Sequence, residues 1–348
     1  MRIASLCLLA LCGWAADDTA APPRSVMAVA PALESADASR RIAASFELRE
    51  HGADAAPAMP ILARCLGDKY YHVRRNAAAT LAAIGEPAIP PLIDALRERT
   101  YHRPMHAAEA LGRMGPIAGE AAAELGSLLM RREQADCASR RWAAWALAQL
   151  GEGAEPALDQ LMTFLEQRQP GLATRYAATA IGNIGAEARR ALPLLLAIMK
   201  DTPAAKRAIG RLGPTAVAAV LAEAKASTDK KEVWAHIDTF AAFGEQAGPA
   251  IDWLVSELDP GRDQWFVAHT AAALGRIGQT AARAVPVLAT VATEHGYANA
   301  RRQACIALGR IGVDNDVVRA ALEAAREDAD DEVAAAARTA LEDLAASD

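Results

Sequence analysis

The sequence predicts an all-α solenoid of about nine helical hairpins with a half-repeat at each end. Three observations predict it. The ending AALGRIG at Ala272–Gly278 returns nearly unchanged as IALGRIG at Ile306–Gly312. Weaker copies close at Gly85 (LAAIG), Gly115 (LGRMG), Gly151 (LAQLG), Gly185 (IGNIG), Gly213 (IGRLG) and Gly244 (FAAFG), and a degenerate first copy, LREHG, closes at Gly52. The successive glycines are 33, 30, 36, 34, 28, 31, 34 and 34 residues apart, a period that fits two helices and two turns. Hydrophobic residues make up 52% of the chain but aromatics only 5%, so the core is built of Ala, Leu, Ile and Val and suits thin, closely packed helices.

Taken in order, residues 1–16 read as a signal peptide. Arg2 is a minimal positive region, Ile3–Leu11 a short apolar one, and Gly13–Ala16 a small-residue cleavage site before Asp17. The apolar run is too short for a membrane span, which needs ~20 residues. The mature chain is therefore expected to be exported, periplasmic or extracellular, with no stable membrane insertion. Residues 17–38 are a leader carrying a possible half-repeat cap at Val29–Glu34, and 39–348 are the repeat array.

Within each repeat the first helix is set by an apolar stripe. At minus one from the glycine stand residues such as Ile84, Leu150, Ile277 and Ile311, and at minus four Leu81, Leu147, Leu274 and Leu308. Paired alanines at minus eight and minus seven, as in Ala77-Ala78 and Ala143-Ala144, complete a stripe at helical spacing. At minus three, Gly112, Gly182, Gly210, Gly275 and Gly309 remove the Cβ, at a cost of ~1 kcal/mol relative to alanine each. Their recurrence implies close helix contact there. The anchoring glycine suits a helix terminus with positive φ. The second helix is expected at Ala188–Met199 and Ala281–Val291 in the best copies. Pro60, Pro193 and Pro286, eight residues past their glycines, fit its first turn or a slight kink. The repeat at Pro203–Gly213 has the shortest gap and a first helix of about ten residues, which should bend or loosen the stack. A last helix, Val333–Leu344, closes the C-terminal end with the polar face of Glu342, Asp343 and Asp348.

VRRNAAATLAAIG (Val73–Gly85) and ARRQACIALGRIG (Ala300–Gly312), each followed by a proline-bearing second helix, resemble HEAT repeats of the short, phycobilin-lyase-like class. The resemblance covers about residues 39–348. It implies a curved, right-handed solenoid whose usual work is holding proteins. It also implies that Arg75, Arg141, Arg175 and Arg302, ten residues before their glycines, form a structural ladder, with Asp68 and Asp136 as partners.

No P-loop, GxSxG or HExxH is present, and no cofactor site is predicted. HEAT-type deoxyhypusine hydroxylases carry His-Glu dipeptides as metal ligands, and this chain contains none. His102, His106 and Glu109 have metal-like spacing. Pro104, however, should place His102 outside the helix, and all three are read as surface residues rather than a metal site. Net charge is −6 with no Lys/Arg block, which disfavours a nucleic-acid partner. Arg131-Arg132-Glu133 reads as a solvated helix end. Cys7 and Cys12 fall in the signal. Cys65, Cys137 and Cys305 are widely spaced and make no disulfide framework, with Cys65 and Cys305 expected in the core.

Two groups of rings stand out in so ring-poor a chain. Trp142, Trp145 and Tyr176 lie off the apolar stripe in adjacent repeats, either as an exposed patch or as cover for a groove between first helices. Tyr70, Tyr71, Tyr101, His102, Trp265 and Tyr297 follow the connections between repeats, on one edge of a solenoid, either as recognition residues or as plugs between hairpins. The reading is an exported, non-enzymatic scaffold that binds another protein through these candidates. The alternative is an accessory subunit of an enzyme, or a lyase-like enzyme, that positions a substrate. A deep concave pocket gathering polar residues, His106 or His236 among them, would favour that alternative.

Overall fold

A computed structural model describes residues 25–131, 137–259 and 263–346. The proposed signal peptide, Cys7, Cys12, Asp136, Arg132, Glu133 and Asp348 lie outside the described residues. Every element in the described residues is helical. A short helix α1 (Val26–Val29) and a 3-10 turn to Glu34 pack against the first hairpin, with Val26, Val29, Ala30 and Leu33 buried. Hairpins then follow: α2 (Ala38–Glu50) with α3 (Met59–Cys65), α4 (Tyr71–Ile84) with α5 (Ile89–Arg97), α6 (Arg103–Met114) with α7 (Ala122–Leu129), and α8 (Cys137–Leu150) with α9 (Leu158–Glu166). The second half continues with α10 (Leu172–Ile184) and α11 (Leu192–Ile198), α12 (Pro203–Arg211) and α13 (Thr215–Ala226), α14 (Lys230–Phe243) and α15 (Ile251–Ser256). The array ends with α16 (Gln264–Ile277) and α17 (Val285–Glu294), α18 (Ala298–Ile311) and α19 (Asp316–Ala325), and the closing helix α20 (Asp331–Ala345).

The repeat glycines terminate the first helices with positive φ, from +54° at Gly52 to +92° at Gly213. Most connections then differ from the reading above. The second helices do not start at Ala188 or Ala281. Gly185–Ala191 and Gly278–Ala284 are 3-10 turns, and the α-helices begin at Leu192 and Val285. Buried alanines three apart (Ala188 and Ala191, Ala281 and Ala284) explain this, because residues i and i+3 eclipse on a 3-10 turn and pack as a pair. Pro193 and Pro286 then sit at the second helical position, where no hydrogen bond is lost.

The helices form two layers. The stripe at minus eight, four and one faces the second helices and is buried, as at Leu81, Leu111, Leu147 and Ile181, except at the half-buried His51 and Met114. Neighbouring first helices pack against each other far more extensively than neighbouring second helices do. The minus-three glycines are the reason. A Cβ built on Gly182 would lie 2.6 Å from the Ala208 Cα, on Gly275 2.9 Å from the Ala307 Cα, and on Gly309 2.9 Å from the Ala340 Cβ. Closer spacing in one layer bends a stack toward that layer, so the first helices line the inner face of the curve.

The ladder arginine is one residue earlier than the resemblance implied. Arg41 and Arg301, eleven residues before Gly52 and Gly312, each grip the aspartate that follows the second helix of their own repeat: Arg41 Nε donates to Asp68 at 2.7 Å, and Arg301 makes two bonds to Asp328 at 2.7 and 2.8 Å. Arg74 donates to the Asp68 carbonyl at 2.6 Å. Asp68 also accepts from the N–H of Tyr70, the residue before the next first helix, at 2.8 Å. Arg75, Arg141 and Arg175 are exposed instead, and Arg302 pairs with Glu332 of α20 at 2.5 Å. Arg131 is not a solvated helix end. It donates to the Glu98 and Leu96 carbonyls at 2.8 and 2.7 Å and ties α7 to α5.

The short repeat lacks the 3-10 connection altogether. Helix α12 has nine residues and α13 begins two residues after Gly213. As a result α11 and α13 scarcely touch, and the outer layer is interrupted there.

Candidate functional site

Helical geometry fixes which positions face the inside of the curve. Minus six points directly away from the buried stripe, with minus two, nine and ten beside it, since successive residues turn by ~100°. Rings and arginines gather on this face in α6, α8 and α10. Trp142 and Trp145 meet edge to face at 5.1 Å and 88°. Both are half-buried against the core, as is Tyr176. Trp145 lies over Gly112, where any Cβ would overlap its ring. Arg113, Arg141, Trp142, Trp145, Leu172 and Tyr176 enclose a groove of about 500 Å³. The rings are thus neither a fully exposed patch nor closed over: half-buried, they line an open groove between first helices.

Beside this groove lies a buried polar chain that the sequence reading placed on the surface. His106 and Glu109 are 1% and 4% exposed. Arg74 Nε donates to His106 Nε2 at 3.2 Å, His106 Nδ1 donates to Glu109 Oε2 at 2.9 Å, and Arg113 donates to Glu109 Oε1 at 2.7 Å. Burial pushes the Glu109 carboxyl up, but the bonds from His106 and Arg113 outweigh it and hold the group below its ordinary value. The helix starts at Arg103, so His102 stands outside it as Pro104 requires. Burial, with Arg74 and His106 nearby, lowers the His102 pKa. No cluster among the described residues has the makings of a metal site.

A second cluster on the inner face was not foreseen. Asp238 accepts from Lys206 Nζ at 2.7 Å, lies 2.8 Å from His269 Nε2 and 3.5 Å from Arg276 Nη2. Burial opposes ionisation of Asp238, yet His269 and Lys206 hold its pKa well below the usual carboxylate range. The Trp234 ring lies 5.7 Å from that of His269.

The edge candidates sit where first helices begin. Tyr71, Tyr101, Trp265 and Tyr297 are half-exposed or more, and Tyr70 is partly so. Tyr71 contacts His72 and His106, Tyr101 meets His102 edge-on at 4.7 Å, and Tyr70 lies under Arg41 at 5.4 Å. They share an edge but form separate small contacts, not one patch. Cys65 and Cys305 are buried, and burial pushes their thiols up to about 11 and about 12.

The interrupted outer layer opens one more groove, of about 490 Å³, lined by Leu196, Met199, Lys200, Glu223, Glu232 and His236 among others. His236 is thus at the outer side, and His106 is enclosed in hydrogen bonds. Neither belongs to a deep concave pocket.

The inner face as a whole carries one unexpected regularity. At minus ten, nine, six and two of the nine repeats stand nine arginines, no lysine and three carboxylates. Arg75, Arg113, Arg141 and Arg175 occupy the N-terminal half of this face. Arg207, Arg211, Arg276, Arg302 and Arg310 continue it. These positions therefore hold a net charge of +6 in a chain of net −6. The residues were visible as pairs such as Arg74-Arg75 and Arg301-Arg302, but bulk charge conceals their placement.

No curated protein matches the chain in sequence. Among solved structures, karyopherin Kap121p bound to Pho4p superposes with a TM-score of 0.55 at 12% identity, over 92% of this chain and 45% of that one. Kap121p bound to Ste12p gives 0.54 at 11% identity over the same shares. Kap95p, in a structure with RanGDP, gives 0.51 at 12% identity, over 92% of this chain and 57% of that one. The chain spans less than half the length of those Kap121p chains, and the likeness concerns the fold alone. A family model for HEAT repeats matches residues 26–112 and 251–342, and one for the PBS lyase HEAT-like repeat matches 139–167. With half of its length matched and the same hairpin recurring between the matched parts, the chain belongs to the HEAT-repeat family.

Proposed function

We propose that this chain is an exported, non-enzymatic scaffold that holds another protein on the inner face of its solenoid. The observation that carries this reading is the ring-and-arginine groove across α6, α8 and α10. Half-buried Trp and Tyr beside exposed Arg in a preformed groove are the residue types that dominate binding energy at protein interfaces. The protein complexes of Kap121p and Kap95p support the reading by analogy of fold. No described helix is long and apolar enough to cross a membrane. Export rests on the Arg2, Ile3–Leu11 and Gly13–Ala16 pattern. N-terminal sequencing of the mature protein tests it, with a start near Ala16 or Asp17 expected, and intact Met1 overturns it.

Binding is tested by cross-linking capture from the exported fraction with paired variants. Trp142→Ala with Trp145→Ala should cost ~2 kcal/mol or more of affinity for the captured partner. The loss of stability should stay below the ~3–5 kcal/mol of fully buried rings. Tyr101→Ala and Trp265→Ala serve as the edge comparison. If the inner-face variant captures partner normally while an edge variant does not, the binding surface is the edge.

A further inference from the structure

The charge of the inner face specifies what kind of segment fits there. All three of its carboxylates already have a cationic partner: Glu50 in Arg49, Glu109 in Arg113, and Asp238 in Lys206 and Arg276. Among the described residues, Arg75, Arg141, Arg175 and Arg207 have no carboxylate partner. Arg141 borders the aromatic groove directly, and Arg175 is the neighbour of Tyr176 in its wall. Each is exposed. The surface potential of the inner face is thus positive although the chain is acidic, which draws an anionic partner to this face and away from the rest.

Spacing adds to this. Adjacent packed helices lie ~8–10 Å apart. The exposed arginines of successive first helices therefore recur at roughly that interval. An extended chain rises ~3.3 Å per residue, so a segment crossing the first helices meets one arginine about every third residue. Arginine, rather than lysine, at every one of these positions suits forked, two-bond recognition of carboxylates.

Resting on the protein-binding reading above, we propose that the inner face from Arg75 to Arg211 binds an acidic protein segment in extended form. The segment carries a carboxylate about every third residue, and one apolar or aromatic side chain enters the Trp142–Trp145–Tyr176 groove. A single-stranded nucleic acid fits less well. Trp142 and Trp145 meet at 88°, with Trp145 seated on Gly112, so they wall a slot for one side chain and do not offer successive flat platforms for bases.

Fluorescence anisotropy on the full chain tests the proposal. The probes are a labelled peptide of Glu-Gly-Ser triplets with one central Phe, the same peptide with Gln for Glu, and an oligothymidylate of matching extended length. The Glu peptide should bind about tenfold or more tighter than the Gln peptide at low salt, with the gap narrowing as salt rises. Arg141→Glu with Arg175→Glu breaks no ion pair of the described structure and should weaken the Glu peptide by about tenfold or more. Arg141→Gln with Arg175→Gln should weaken it less, and provides a second reading if the charge reversal fails to fold. The charge-matched control Arg189→Glu with Lys225→Glu, on exposed positions off the inner face, should leave binding within about twofold. Equal binding of the Glu and Gln peptides, both lost in Trp142→Ala with Trp145→Ala, overturns the acidic specificity and leaves the protein-binding reading standing. Glu-peptide binding indifferent to both arginine variants also overturns it. Oligothymidylate binding tighter than the Glu peptide, with the same arginine dependence, overturns both readings.

Discussion

Gly182 shows how one absent Cβ sets the geometry of a layer. An added methyl there meets the Ala208 backbone at 2.6 Å, and backbone cannot step aside as a side-chain tip does. Gly182→Ala is therefore expected to destabilise by ~1–3 kcal/mol through overpacking, against ~1 kcal/mol gained in helix propensity. A thermal melt at or above that of the parent would show that α10 and α12 are free to separate. His236 gives a second residue-scale expectation. It is 4% exposed, and burial lowers its pKa below the ordinary 6.5, with Glu232 on its own helix, Glu223 on α13 and Lys200 beyond α11 around the same groove. The folded state keeps it neutral, while the unfolded chain binds a proton as pH falls below 6.5, so stability drops on acidification through that range. His236→Leu should flatten the fall in Tm between about pH 7 and 5, though not abolish it, because His102 and His295 are lowered in the same direction. An unchanged slope would remove His236 from the account. At this scale the sequence revealed the minus-three glycines through their recurrence. It did not separate Arg74 from Arg75, because a step of ~100° on a helix sends one to the ladder and the other to the inner face. His106 and Glu109 were misplaced for a related reason. Polar type suggested exposure, and only packing of α4 against α6 reveals that Arg74 covers them.

Helix α13 is poorly held for its length of 12 residues. Its neighbours in the outer layer scarcely touch it, it has no 3-10 connection to seat it, and its partner α12 has nine residues. Helices with few buried contacts open locally with little free energy. Amide exchange measured by mass spectrometry should therefore find α13 exchanging well ahead of α17, although both are second helices. Equal protection would mean that α14 and its 3-10 turn hold α13 as firmly as a full layer does. The short spacing of 28 residues announced this irregularity. What spacing did not announce is its form, a deleted connection instead of a kinked helix. Nor did it announce the 3-10 turns of the regular repeats. Alternating small residues are compatible with α-helix by propensity, and only tertiary burial of Ala188 with Ala191 selects the tighter turn.

In the whole molecule, periodicity carried the architecture because each hairpin repeats one burial problem. The charge of the site is a property of the assembled surface, invisible to a net charge of −6 until helical positions sort the arginines. The same nearest-neighbour construction governs how the array unfolds. Stability of a solenoid is approximately a sum of repeat and interface terms, so unfolding divides at the weakest interface when the halves are each large enough to stand. The seam around α12 and α13, where the 3-10 connection is missing, is the expected dividing line, with four full hairpins and α10–α11 before it and three hairpins and α20 after it. Tryptophans report the two sides separately: Trp142 and Trp145 before the seam, Trp234, Trp253 and Trp265 after it. A variant with Phe at 234, 253 and 265, and a second with Phe at 142 and 145, should give urea transitions by fluorescence with different midpoints, while far-ultraviolet circular dichroism of the parent spans both. Coincident midpoints in all three measurements would mean that Gly182 and Gly210, packed on Ala208 and Ala242, couple the first helices across the seam strongly enough to make the solenoid one cooperative unit despite the gap in its outer layer.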